Sequence, residues 1–481
     1  MKHQLFFRQY NADNLTPIVT YHTIQTAFKK SILCESVEKA AGRGRYSIIA
    51  CHPDAIWEYD DLNHAKITYY DEVFEQINQE TSSDPLALLK KLYNQTQCPI
   101  DDALPSAAAG LFGYFSYDAI RLVEKIPQPL NDPLNIPDGY LFRPRIVIIF
   151  DSVYDNLFVV TNNFDGQNDT KLIDDRFNYI EKLLSNPQSL PLKQSSIVPS
   201  ITRSETVTAH QSKQSFIDGV NKAKEYIAAG DAFQIVPSQR FSMPFEHDYF
   251  NFYRALRRVN PSPYMFYFNH GDFVLAGASP EILVRNDNGT VVIRPIAGTR
   301  PRGHTKEEDL RLEQELLHDE KEVAEHLMLL DLGRNDVGRI SEIGSVCVTD
   351  EYMIERYSHV MHIVSNVTGK LKKGYSFIDA FFSALPAGTV SGAPKIRAME
   401  IINELETEKR SFYAGGIGYF SSNGNGDFSI MLRTALLKDQ TLYFQAGAGV
   451  VNDSDPESEY VETLNKAKAI IKAAEICTIV N

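Results

Sequence analysis

Cysteine is scarce in this sequence: five residues in 481, at Cys34, Cys51, Cys98, Cys347 and Cys477, with no CxxC pair among them. That scatter excludes a disulfide framework and a thiolate zinc site, and it fits a reducing compartment. Basic charge is short as well. Lys and Arg number 48 against 62 Asp and Glu, a formal net charge of −14, which leaves no footprint for nucleic acid or for an anionic membrane surface. No uncharged apolar run is long enough to span a bilayer, and the opening MKHQLFFRQYNADN lacks the apolar core of a signal peptide. The expected location is cytoplasmic. HExxH, GxSxG and a cysteine in a nucleophile-like setting are also missing, so zincin, α/β-hydrolase and thiol-hydrolase chemistries have no foothold.

What is present is an ordinary share of apolar residues, 43%, and of charged ones, 23%, in a 54.3 kDa chain. That is enough to bury a large core and too long for one small module. The stretch 185–214, rich in Ser, Pro, Thr and Gln with little apolar periodicity, reads as an interdomain linker. One domain is expected over 1–184 and another over 215–481. Ahead of the linker β-type runs dominate, at 45–51, 66–70, 109–117, 145–150 and 156–161, with a helix at 84–94. Behind it a helix carries Phe216, Val220, Ala223 and Ile227 on one side and stops at Gly230. Strand-like runs follow, then one helical stretch from Lys306 to about Arg334, and a last helix opened by Asp455 and Pro456. Strands and helices mix without a βαβ rhythm, which places the chain in the α+β class.

Two glutamate pairs stand at helical spacing. Glu322 and Glu325 share one face of a predicted helix, and Glu459 and Glu462 repeat the spacing on the last helix, where Lys466 continues the same side. Either pair alone suits a solvated face, with Glu462 and Lys466 as an i, i+4 ion pair worth about 0.3–0.5 kcal/mol. If the helices converge, four carboxylates repel unless a cation sits among them, and an all-oxygen donor set is the chemistry of Mg²⁺. Gly447, Ala448 and Gly449 follow a strand, and Ala387–Thr389 leads into SGAPK ahead of a helix. Such turns either present backbone N–H groups to an anion or serve only as tight turns. Neither has the spacing of a Walker A loop or a dinucleotide fingerprint. His359 and His362 alternate in a strand-like run, where a histidine is either a packing residue or an acid–base group.

In this order, GDAFQIVPSQR at 230–240, GASPE at 277–281, IRPIAGTR at 293–300 and the stretches 322–339, 387–400 and 447–466 resemble the chorismate-utilising enzymes, in their anthranilate synthase branch. The resemblance covers nearly the whole chain. It implies a two-domain α+β fold with a β-sandwich core and flanking helices, the second domain being catalytic. It implies Mg²⁺-dependent addition of ammonia to chorismate at C2, loss of the C4 hydroxyl as water, and elimination of pyruvate. The product is anthranilate, at the first step of tryptophan biosynthesis. A hydroxyl leaves poorly unless protonated, and His362 matches the family's histidine for that acid role. Mg²⁺ would be held by Glu325 and Glu462, with Glu322 and Glu459 close by or bridging through water. Gly298, Thr299, Tyr413, Arg433, Gly447, Ala448, Gly449 and Lys466 match substrate contacts, and Thr389 would line the same pocket. Arg433 and Lys466 suit the two carboxylates of chorismate.

Two positions separate the branches. Aminodeoxychorismate synthases carry a lysine that attacks the ring where this sequence has Ala297, and isochorismate and salicylate synthases carry a lysine base near Gln234. Component I of aminodeoxychorismate synthase is the alternative within the family. The LCES run at 33–36 and NPSPYMFY at 260–267 resemble the two walls of a tryptophan feedback site. Glu35, Ser36, Pro263, Tyr264 and Met265 would touch the inhibitor, with Ile417 and Tyr419 contributing, although the aromatic run would be a core strand in either case. Outside the family stand a metal-dependent hydrolase with Glu322, Glu325 and His326 as ligands, and a non-catalytic tryptophan binder.

The resemblance also implies a glutamine amidotransferase partner (component II) in a heterotetramer, with neither nucleic acid nor membrane as partner. Glutamine hydrolysis needs an activated cysteine in a defined turn, and none of the five has one. The purified chain is therefore expected to form product from an ammonium salt and none from glutamine. Glutamine-dependent product from the chain alone would overturn this.

Overall fold

The computed structural model describes residues 4–37, 43–60, 64–127, 131–164, 169–188, 207–357 and 360–479. Strands distant in sequence share its ladders. Ser31–Val37 pairs antiparallel with Arg43–Tyr59 on one side and with Tyr264–Asn269 on the other. Gly110–Phe115 likewise lies between Gly139–Asp151 and Gly416–Ser421. Strands from before and after the 185–214 stretch are thus hydrogen-bonded to each other in one large, curled antiparallel sheet, with helices packed on it.

The expected strands before the linker are present, most with longer bounds, while the run at 109–117 is the shorter Gly110–Phe115. The run at 145–150 is part of Gly139–Asp151, buried along its whole length. A continuous apolar strand of this kind is covered on both faces. Residues 189–206 lie outside the described residues. The rest of the predicted linker is partly structured, since Thr208–Ala209 pairs with Phe241 and Ser242, and Ser212 caps the helix Lys213–Ala228. The single helical stretch expected after Lys306 is two helices, Lys306–His318 and Glu320–Ile340. Asp319 breaks it. Its side chain accepts from the backbone N–H groups of Lys321 and Glu322, placing a carboxylate where the second helix's N–H groups are unsatisfied. The last helix, Pro456–Ile479, opens as expected, with Asp455 accepting from Ser458 N at 2.9 Å.

The apolar interior backs the catalytic half directly. Phe115, Phe377, Phe381, Phe420 and Phe428 pack with Leu385, Val390 and Tyr413 in one buried cluster. Phe381 meets Phe428 with ring centroids 4.6 Å apart and Phe115 at 4.8 Å. Aromatic pairs at this spacing resist sliding, so the turn at Val390 and the Tyr413 ring rest on a rigid floor.

Candidate active site

The strand Ile296–Pro301 pairs with Val360–Lys370 so that Thr299 stands opposite His362, with a bulge between Ala297 and Thr299. The bulge is at Gly298, whose φ is +69° and where a Cβ would come within 3.2 Å of Glu322 Oε2 and 3.1 Å of Leu316. The positive φ favours glycine there, and a Cβ would press on the Glu322 and Leu316 side chains. The Gly298 carbonyl faces His362 Nδ1 at 2.9 Å, with Thr299 Oγ1 at 3.0 Å from the same nitrogen. A carbonyl only accepts, so Nδ1 carries a proton and Nε2 is the open position. Burial, and Arg433 nearby, hold the imidazole below its ordinary pKa, with Gly298, Glu355 and Glu322 only partly offsetting them. The ring is neutral at neutral pH. His359 lies outside the described residues.

The proton the site does hold is on Glu281. This residue is buried at the end of the GASPE run, and Thr389 Oγ1 donates to its two oxygens at 3.1 and 3.2 Å. Burial pushes its pKa up to about 8, against smaller lowering effects from Thr389 and Lys466. A carboxylic acid kept neutral in this way is a proton donor near pH 7. Sequence reading quoted the motif without giving Glu281 a role; its charge at an otherwise apolar segment end was the available signal.

The two glutamate helices do converge. Glu325 has a raised pKa, first through burial, then through the charge of Glu322 and, more weakly, of Glu462. Glu459 is raised by burial and by Glu462. Gln234 Nε2 reaches Glu325 Oε1 at 3.4 Å and would be 2.9 Å from a Cβ at Gly449, so it sits between the two helices' loops. Glu322 accepts from Arg300 Nη1 at 3.0 Å. Lys466 pairs with Glu462 at 2.7 Å, as its spacing allowed, and donates to Gly447 O at 3.0 Å. Among the described residues no three His, Cys, Asp or Glu side chains lie close enough to hold a metal by themselves. The donor set is nonetheless all oxygen and mutually repelling even with Arg300 and Lys466 beside Glu322 and Glu462, which fits a hard divalent ion completed by oxygens from elsewhere.

Arg433 is a cation without a carboxylate partner among the described residues. Burial lowers its pKa, and its one polar neighbour is Asn260 Oδ1 at 3.5 Å. A half-buried guanidinium without a counter-ion is a seat for an anionic ligand. Tyr413 is buried, with its hydroxyl 2.9 Å from where a Cβ at Gly447 would be, so Gly447, Ala448 and Gly449 form a close-fitting backbone wall.

A cavity of about 1040 Å³ opens away from these residues, bordered by Glu35, Ser36, Pro263, Tyr264, Met265, Ile417 and Tyr419. All the residues expected at the inhibitor site border it. The Glu35 carboxylate, however, is committed elsewhere: Tyr253 Oη donates to it at 2.7 Å and Arg257 at 3.1 Å. Asp427, also on the cavity wall, has a buried oxygen without a hydrogen-bond partner. The hydrolase alternative fails on geometry. His326 is fully buried, with Nε2 2.6 Å from Ser365 Oγ and a pKa lowered to about 4 by burial. It is a packing histidine and does not join Glu322 and Glu325.

The description of chorismate binding enzymes matches residues 52–472. Anthranilate synthase component 1 of Cereibacter sphaeroides is 47% identical over 98% of this chain and 95% of its own length. That of Pseudomonas aeruginosa is 45% identical over 97% and 94%. Among solved structures, anthranilate synthase component I from Streptococcus pneumoniae superposes with a TM-score of 0.78 at 37% identity, covering 96% of this chain and 99% of that one. The menaquinone-specific isochorismate synthase of Escherichia coli, at 18% identity and a TM-score of 0.73 over 98% and 95%, shares the fold.

Any step that draws on the Glu281 proton has a defined basic limit. Its folded-state pKa is raised from 4.5 to about 8, so the folded chain binds a proton that the unfolded chain loses first. The contribution to stability therefore falls as pH rises through that window, and a step using the acid slows above about pH 8. A pH–rate profile should show this limb in the parent chain. Glu281→Gln should remove it and cost at least about 10²-fold in rate, the usual worth of a general acid.

Proposed function

The chain belongs to the chorismate binding enzymes, and from that premise we propose that it is the chorismate-using component of an anthranilate synthase. It converts chorismate and ammonia to anthranilate, pyruvate and water. What supports the chemistry is the setting of two buried groups: Glu281, held by Thr389, has its pKa raised by burial, and His362, its Nδ1 against the Gly298 carbonyl, has its pKa lowered by burial. Ammonia adds at C2, the ring double bonds shift, and the C4–O bond breaks as Glu281 delivers its proton to the departing hydroxyl. The amine then loses its C2 proton while the C3–O bond breaks, releasing enolpyruvate that takes up a proton to become pyruvate. His362, neutral and with Nε2 open, is the base for that C2 proton. This reverses the acid role expected from the resemblance. The reason is that desolvation, not a carboxylate partner, dominates the imidazole's environment.

Arg433 and Lys466 bind the two carboxylates of the substrate, and the Gly447–Gly449 wall holds the ring plane. Thr389 orients the acid, while Gly298 and Thr299 fix the tautomer of His362. Mg²⁺ would be held by Glu325 and Glu462 with Glu322 and Glu459 beside them, and when bound it neutralises the ring carboxylate and strengthens electron withdrawal from the ring. Ala297 offers no amine for a covalent adduct, which weighs against aminodeoxychorismate synthesis.

Ammonia reaches the site from a separate glutamine amidotransferase subunit. The thiols of Cys34, Cys51 and Cys98 are all pushed up by burial, the opposite of what a nucleophile needs. The 1040 Å³ cavity is the tryptophan feedback site. Tryptophan there must favour one state of the sheet over another to inhibit at all.

The product assay uses purified chain with chorismate, an ammonium salt and Mg²⁺. Anthranilate and pyruvate in equal amounts are expected, with activity lost on chelation and restored by Mg²⁺. Accumulation of 4-amino-4-deoxychorismate or isochorismate would overturn the reading.

A second experiment concerns the cavity. A Cβ at Gly44 would lie 2.0 Å from Ser36 Cβ, so this strand pair leaves no room on that side. Ser36→Phe therefore directs its ring into the cavity and should relieve tryptophan inhibition at least tenfold with uninhibited turnover near that of the parent. Unchanged inhibition would misplace the site.

A further inference from the structure

We infer that the buried pair Glu406–Arg410 is a positioning clamp that holds the acid, the substrate loop and the Tyr413 ring in mutual register; the inference rests on the reaction proposed above. Both residues follow the helix Lys395–Leu405, one turn apart, and Arg410 is 2% exposed. Its Nε bonds both carboxylate oxygens of Glu406, at 3.1 and 2.9 Å, and Nη2 bonds Oε1 at 2.6 Å. The remaining donors leave the pair. Nη1 reaches Val390 O at 2.6 Å, one residue beyond Thr389, and Nη2 reaches Val236 O at 2.6 Å, two residues beyond Gln234.

Glu406 in turn accepts from the backbone and hydroxyl of Ser238, at 2.9 and 2.7 Å. Ser238 pairs across the ladder with Gly447, and Ala448 N donates to Pro237 O at 3.1 Å. The guanidinium also lies over the Tyr413 ring, 5.6 Å from its centroid. The segments around Val236 and Val390, which also pair through Gln234–Ala393 and Ile235–Gly392, are therefore both fastened to one planar cation. A guanidinium can do this because its donors diverge in a fixed fork, whereas an ammonium is a single point. Neither residue touches the site's open space, so each acts through others: Arg410 through Thr389 on Glu281, and Glu406 through Ser238 on the Gly447–Gly449 wall.

The test compares ammonia-dependent turnover of the parent, Arg410→Lys, Thr389→Val and the double variant across pH, with thermal melts beside each. Thr389 lowers the Glu281 pKa, so losing its hydrogen bond moves the basic limb upward. Arg410→Lys should lower kcat at least tenfold, change KM for chorismate less than threefold, and move the limb upward as Thr389→Val does. The double variant should show no further movement of the limb. Glu406→Gln, which keeps the acceptor for Ser238 while removing the charge, should give the same pattern more weakly and serves if Arg410→Lys does not fold. Unchanged kcat and limb, or losses that multiply fully in the double variant with a limb that stays put, would overturn the clamp and leave the pair a stabilising one. If the parent itself forms no anthranilate, the reaction reading falls and the clamp falls with it.

Discussion

The pairing of Ser31–Val37 with Tyr264–Asn269 is the constraint on which the rest of the architecture depends. It joins an early segment to the catalytic half edge to edge, and Tyr264–Asn269 is paired on its other side with Val274–Ser279, which leads straight to Glu281. Side chains alternate across a strand. Cys34 packs with the cluster around Phe266 and Phe268, while Leu33 packs with that around Tyr253 and Tyr267. One ladder thereby builds a cavity wall on one face and a helix-covered core on the other. The same ladder explains why Glu35 borders the cavity without lending it a charge: its side chain belongs to the Tyr253 and Arg257 side.

Desolvation then does most of the chemistry. Burial keeps Glu281 protonated, keeps His362 neutral, raises Glu325 and Glu459, and leaves Arg433 without a counter-ion. Each of these states is costly in a folded chain without ligand. The charged ones are relieved by ligands of opposite sign: an anion for Arg433, a divalent metal for Glu325 and Glu459.

The cavity and the active cleft share strands. Arg294, Ile296, Glu355 and Tyr357 border the cavity, while Thr299 and Glu355 flank His362 in the ladder. The cavity wall and His362 are thus joined by one hydrogen-bonded sheet.

Local and periodic features were legible in the sequence: the α+β class, the glutamate spacings, the Asp455–Pro456 helix start, the glycine turns, and the motif order that carries the family. They depend on contacts within a few residues or on ordered strings, and both survive projection onto one dimension. The break at Asp319 was missed because a capping carboxylate reads like any other acid in a charged helix. The strand pairing across the 185–214 stretch was missed because a ladder is set by hydrogen bonds between segments that carry no record of each other. Residue types at the site were legible, but their protonation was not. Glu281 and His362 look like an ordinary carboxylate and an ordinary imidazole until the fold strips water from both, and only that burial raises the pKa of one and lowers that of the other.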